Sequence, residues 1–286
     1  MLLRPFLLTT LLAPSALLAQ GERILLRTTP APNQTIRVVM TQDLLFDIEM
    51  EVAGGTGPTR MVGRINFSGT QQVGAPDREG RVTAQLTTDE MSINMTLNGN
   101  AAPSPPDQMK GKVFTIVYDS AGKVLEVNGP PELGASGASA KDMITALSRA
   151  LPSGQLAVGD TVTLPVSIPV PIPIPGNAPA QIGTRVTSKL VAIGREGGDR
   201  LASLEQTTVG EGSIPMEVPG PSGPISATME MRMTGTGTLQ LNVDKGFVKA
   251  GSSDLKMDMT MLMQGMSMKM TGTVHMVITG ETLPPG

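Results

Sequence analysis

Cysteine and tryptophan are absent from the 286-residue chain, and histidine and tyrosine occur once each, as His275 and Tyr118. Without cysteine there are no disulfides, no thiol chemistry and no lipid-modified cysteine anchor, so packing alone must hold the fold. Aromatic residues make up only 2% of the chain. That removes the stacking platforms on which carbohydrate and nucleobase sites usually rest. A single histidine excludes paired-histidine metal sites and leaves one imidazole as a candidate base. The formal net charge is −3, with lysine and arginine scattered singly, which argues against nucleic acid as a partner.

Catalytic signatures are missing too. No nucleophile elbow, P-loop or dinucleotide fingerprint occurs, and Gly235-Thr-Gly237 lacks the strand-to-helix context that such a motif needs. Asp47, Glu49 and Glu51 fall at strand spacing and read as the wet side of a sheet. These residues predict a non-enzymatic protein with no cofactor.

Long apolar runs are confined to the N-terminus. Arg4 precedes an apolar stretch over residues 6–18, and Ala19-Gln20 offers a cleavage point, the pattern of a signal peptide over residues 1–19. Pro14 and the short length argue against a membrane helix there. The expectation is an exported protein, periplasmic or extracellular, neither lipid-anchored nor membrane-spanning.

What remains is mostly period-two alternation of apolar and polar residues, broken by Gly, Pro, Asn and Asp. Strands are predicted over 22–28, 35–51, 60–72, 81–97, 112–119, 123–128, 182–194, 201–209, 226–243 and 247–249, and in a hairpin over 255–279. Turns fall at Asp77 to Gly80, Asp119 to Gly122 and Asp244-Lys245-Gly246, with Pro/Gly-rich loops over 101–108 and 213–224. A single amphipathic helix is predicted over 141–151. Ser139 and Asp142 form its cap, Met143, Ile144, Leu147 and Leu151 its apolar face, and Pro152 its stop.

Prolines at 165, 169, 171, 173 and 175 alternate with Val166, Ile168, Val170, Ile172 and Ile174. In a strand these prolines remove donors from one edge only, which suits an edge strand closed against further pairing. The competing arrangement is a polyproline II linker; the regular apolar alternation favours the strand. The chain reads as one β-rich domain over 20–286. Two weakly similar halves, 20–130 and 158–281, are joined by a helical connection over 131–157. The similarity rests on the paired turns Tyr118-Asp119…Gly122 and Val243-Asp244…Gly246.

The most distinctive feature is methionine. Met257, Met259, Met261 and Met263 precede Gln264-Gly265, and Met266, Met268 and Met270 follow it. Residues two apart share a strand face. A two-residue turn at Gln264-Gly265 would set Met263 opposite Met266, Met261 opposite Met268 and Met259 opposite Met270. Met229, Met231 and Met233 form a second run placed to lie beside this ladder. Methionine is flexible, polarizable and a weaker strand former than valine or isoleucine, so it suits a lining that adapts to apolar guests. Thioethers also suit Cu(I), for which Met259, Met261, Met268 and Met270 are the candidate ligands. His275 falls on the opposite, polar face.

The signal segment, the helix ending at Leu151-Pro152, the following Val158-Gly159-Asp160-Thr161 and the Asp244-Lys245-Gly246 turn carry a resemblance. The chain resembles an uncharacterised family of secreted, β-rich bacterial proteins. It is distantly similar to periplasmic lipoprotein-carrier half-barrels, a likeness that implies lipid or acyl-chain binding on a greasy concave face. The predicted architecture is therefore mainly β: a curved antiparallel sheet or open half-barrel with one amphipathic helix. Its predicted function is binding of a hydrophobic ligand by Met229, Met231, Met233, Met257, Met259, Met261, Met263, Met266, Met268, Met270, Met143, Ile144 and Leu147. The alternatives are a Cu(I) binder and a structural or interaction module whose methionine face is packed solid.

Overall fold

Alternation is carried over strands of unusual length. A computed structural model of the protein describes residues 23–26, 29–51, 58–101, 109–120, 122–130, 141, 144–146, 148–152, 154–169, 181–220, 223–263 and 266–284. The candidate signal segment over 1–19, Ser139, Asp142, the loop residues 102–108, the prolines at 171, 173 and 175 and the Gln264-Gly265 pair lie outside them.

Fourteen strands follow one another. The first eight are β1 (Arg23–Leu26), β2 (Thr35–Glu51), β3 (Thr59–Pro76), β4 (Val82–Leu97), β5 (Asn100–Ala101), β6 (Val113–Tyr118), β7 (Val124–Asn128) and β8 (Gly154–Ala157). The remaining six are β9 (Thr161–Pro169), β10 (Gln181–Glu196), β11 (Asp199–Gly220), β12 (Gly223–Asn242), β13 (Phe247–Met263) and β14 (Met266–Leu283). Twelve of them form one antiparallel sheet in the order β7-β6-β4-β3-β2-β14-β13-β12-β11-β10-β9, with β5 beside β4. Two meanders thus meet where β2 pairs with β14, from Thr35 opposite Leu283 to Glu51 opposite Ser267. The sheet does not close into a barrel; β7 and β9 are its two ends.

Opposed residues share a face, so rows can be followed across the sheet. One runs Leu190, Leu204, Leu239, Gly251, Ile278, Met40, Phe67 and Met91, from β10 to β4. Buried residues gather on this face, while Arg37, Asp47 and Glu49 lie exposed on the other. The first face is the inner, concave one.

Curvature has a local cause. Glycines recur on the inner face, where a neighbouring side chain can lie over them and let the sheet bend. All four described phenylalanines lie over a glycine, three of them over one in the sheet and Phe114 over Gly129, just past β7. The ring of Phe46 covers Gly272, and those of Phe67, Phe114 and Phe247 come within 3.0, 2.7 and 3.0 Å of where a Cβ would stand on Gly69, Gly129 and Gly280.

The lower end of the inner face, by the β10–β11 and β12–β13 turns, is filled. There β1 pairs with β8 in a small separate ribbon. Its Ile24 and Leu26 pack with Leu190, Leu204 and Leu241, together with Leu151. Helical residues 144–146 and 148–149 follow the polypeptide from one end of the sheet to the other. Ile144 packs with Ile36, Val73, Val82 and Ile116, whereas Ala146 and Ala150 pack with Leu164, Val166 and Val186. The helix therefore touches both halves of the sheet across its open side. The two turns below are stapled reciprocally. Arg200 donates to the Asp244 carboxylate at 2.9 and 2.7 Å, and Lys245 Nζ lies 2.9 Å from Asp199 Oδ2.

One prediction is overturned: the loop expected over 213–224. Instead β11 continues to Gly220, β12 begins at Gly223, and Pro215, Pro219 and Pro224 are strand residues. The reason is that β11 pairs with β10 only as far as Gly210, and β12 with β13 only from Ala227. Beyond those points each strand has one partner among the described residues, so a proline lacking its donor can face the unpaired side. The proline-rich segment behaves as an edge strand over its described part. Pro165 and Pro169 stand opposite Arg185 and Gln181 in β9, the last strand of the sheet.

Candidate functional site

The predicted methionine register is present. Met263 opposes Met266, Met261 opposes Met268, and Met259 opposes Met270, while Met257 faces Gly272. The second run lies alongside, Met229 opposite Met261, Met231 opposite Met259 and Met233 opposite Met257. Since opposed residues share a face, β12, β13 and β14 present one continuous thioether surface.

This surface is graded. Met229, Met231, Met233, Met257, Met259 and Met270 are 1–8% exposed, whereas Met261, Met263 and Met268 nearer the hairpin tip are only partly buried. Fully burying a side chain of this size stabilises by about 1.5–3 kcal/mol, so the buried six are central to stability as well as candidates for binding. Phe46, Ile182, Ala227 and Val274 complete the same cluster, with Leu44, Ile48, Met61 and Ile214 packed against it.

Phe46, Ile48, Ile182 and Met61 were not singled out from sequence. The signal was present for β2, where Leu44, Phe46, Ile48 and Met50 alternate as the methionines do. Using it required knowing that β2 pairs with β14, which sets Ile48 opposite Met270 and Met50 opposite Met268. Met50 and Met266 are placed by register alone. Of the helix residues proposed for the lining, Met143 and Leu147 lie outside the described residues. Ile144 packs in the cluster of Ile36, Val73 and Val82 rather than in that of the methionines. The four candidate copper ligands form two opposed pairs on neighbouring rungs, Met259 with Met270 and Met261 with Met268.

His275 lies on the outer face and is exposed. Its Nδ1 is 2.7 Å from Asp254 Oδ1, and across β14 and β2 it stands opposite Asp43. Asp43 is in turn bonded by Arg64, Nε to Oδ1 at 2.6 Å, which holds its carboxyl below the usual range. Asp254, the imidazole, Asp43 and Arg64 thus form a row of polar groups in water, the expected chemistry of the wet face. Tyr118, by contrast, is buried, and burial pushes its phenol upward; Gln71 Nε2 donates to its hydroxyl at 3.1 Å. That pair satisfies two buried polar groups within the core. Among the described residues, no three His, Cys, Asp or Glu side chains gather as a metal site.

A shallow depression of about 410 Å³ lies over β3 and β4, lined by Asp43, Val62, Gly63, Arg64, Asn94, Met95, Thr96 and Ala101. Among the described residues, no methionine of β12, β13 or β14 lines it. No helix among the described residues is long and apolar enough to cross a membrane. No protein-family model and no curated protein matches the chain.

Proposed function

We propose that the protein is exported and holds a hydrophobic guest, a lipid or acyl chain, against its methionine face without catalysing a reaction. The observation that carries this reading is the graded thioether surface of β12, β13 and β14, water-excluded at depth and half-open toward the hairpin tip. Three rotatable bonds per methionine let such a surface close on itself when empty and re-pack around a guest. The lower end of the concave face is filled by the β1–β8 ribbon and Leu151, which leaves the methionine end as the route of entry. The distant likeness to lipoprotein-carrier half-barrels points the same way.

Cu(I) is the second reading, favoured by one observation: the two directly opposed methionine pairs on adjacent rungs. Soft ligands at cross-strand spacing can be drawn toward one ion by side-chain rotation. Native mass spectrometry of protein exported in bacteria and purified without detergent separates the two. The carrier reading predicts added mass that is heterogeneous and extractable into organic solvent. A discrete copper-sized addition, lost when Met259, Met261, Met268 and Met270 become leucine, would replace it with the second. A bare mass that also resists reloading with lipid and with Cu(I) would leave a structural or interaction module.

A further inference from the structure

Below the methionines the inner face changes chemistry. One row across it reads Ser188, Gln206, Gly237, Ser253, Met276 and Gln42. Its polar members are neutral. Ser188 is fully buried and its Oγ accepts from Gln206 Nε2 at 3.0 Å. The Ser253 hydroxyl is shut off from water and has no hydrogen-bond partner among the described residues. The Gln42 amide, half-buried, makes no side-chain hydrogen bond among the described residues. A buried hydroxyl without a partner is uncommon in a folded protein and calls for an explanation such as an absent water or ligand.

The second observation is an absence of charge. From this row up to the hairpin tip, no Asp, Glu, Lys or Arg occupies an inner-face position of β2, β3, β4 or β9 to β14 among the described residues. A carboxylate, phosphate or ammonium group bound there would lose its hydration and meet no opposite charge. An ester, hydroxyl or amide would lose less, and would meet the unused groups of Ser253 and Gln42. The spacing also suits a two-part guest. Met257 lies four residues along β13 from Ser253, about 13 Å, and Met263 ten residues, about 33 Å.

Resting on the carrier reading above, we infer that the guest is a long-chain amphiphile with an uncharged, hydrogen-bonding end such as an acyl ester or alcohol. Its polar end sits at Gln42, Gln206 and Ser253, and its chain runs along the methionine rungs. A charged fatty acid is disfavoured, because its carboxylate would meet no counter-charge at these inner-face strand positions among the described residues.

The test compares two probes with the same chain, 1-monooleoylglycerol and oleate, each titrated below its aggregation threshold into the detergent-free protein at pH 8. The ester is expected to bind at least about ten-fold more tightly. The double variant Q42L/Q206L, checked for folding by its circular dichroism melt, should bring the two affinities to within about two-fold of each other by weakening the ester. S253A, a smaller change, should shift the ratio in the same direction if the double variant does not fold. Oleate binding as tightly as the ester, or tighter, would overturn this inference and leave the carrier reading standing. Binding of neither probe would overturn both.

Discussion

Phe46 on β2 lies over Gly272, its register partner on β14, so closely that a side chain at position 272 has nowhere to go. An added Cβ would meet the ring, and would lie 2.5 Å from the carbonyl oxygen of Leu45. The pair sits at the seam where the two meanders join, so it reports on how the sheet is curved there. G272A should cost about 2–3 kcal/mol, the usual penalty of overpacking. F46A should cost about 3–5 kcal/mol by leaving the glycine uncovered. In the F46A background G272A should cost less than alone, by about 1 kcal/mol, because only the backbone contact remains. Urea midpoints of the four proteins measure this; strict additivity would mean that ring and glycine do not share one packing site.

The Asp199–Lys245 and Arg200–Asp244 staple predicts a particular acid sensitivity. The Lys245 hydrogen bond and then that of Asn242 hold Asp199 below the usual carboxylate range, and the Arg200 side chain does the same for Asp244. A depressed folded pKa means that the unfolded chain binds the proton more tightly. The stabilisation is therefore complete above the unfolded value, about 3.9, and is lost as pH falls through the lower folded one. Both carboxylates are partly exposed, at 26% and 33%, so solvent screens the effect and its amplitude is small. D244N should melt below the wild type at neutral pH, and the gap should narrow steadily as pH falls below the unfolded carboxylate value. A gap independent of pH would remove the ionic staple from the account.

Much of the site was legible in the sequence because strand geometry leaves little freedom. Once Met257 to Met270 is read as two alternating runs around a two-residue turn, the partners of Met259, Met261 and Met263 follow from counting. The turns Asp77 to Gly80, Asp119 to Gly122 and Asp244 to Gly246 were legible for a similar reason: a carboxylate there can bond nearby backbone donors. Asp77 Oδ1, for example, accepts from the N–H groups of Glu79 and Arg81 at 2.9 Å each.

Less legible was anything that depends on distant pairing. The meeting of β2 with β14 brings Phe46 and Ile48 beside the methionines, and no local pattern announces it. Strand length at 213–224 was misread because proline is forbidden in a doubly paired strand but not in one with a single partner. The contact between phenylalanine and glycine was equally hidden, since Phe46 and Gly272 are brought together only by the chain's two ends.

The last strand supplies a prediction about association. A proline is accommodated in β9 only where its nitrogen faces away from β10, and Pro165 and Pro169, four residues apart, face the same way. P165V restores a donor to the outer edge without disturbing the pairing to β10. The variant should self-associate at concentrations where the wild type does not change, seen as a faster-sedimenting species in sedimentation velocity. Unchanged sedimentation would show that the proline does not guard that edge.

The central claim is that the methionine face receives a hydrophobic guest, and methionine itself is the probe. With methyl groups labelled with carbon-13, the protein can be titrated with monooleoylglycerol below its aggregation threshold and followed by NMR, resonances being assigned by single Met→Leu variants. The account predicts that Met229, Met231, Met233, Met257, Met259 and Met270 shift together and saturably, because they form one contiguous surface. Met91 and Met109, outside that cluster, should stay still. A spectrum in which these six remain unmoved at every concentration, by this probe and by its charged counterpart oleate, would contradict it.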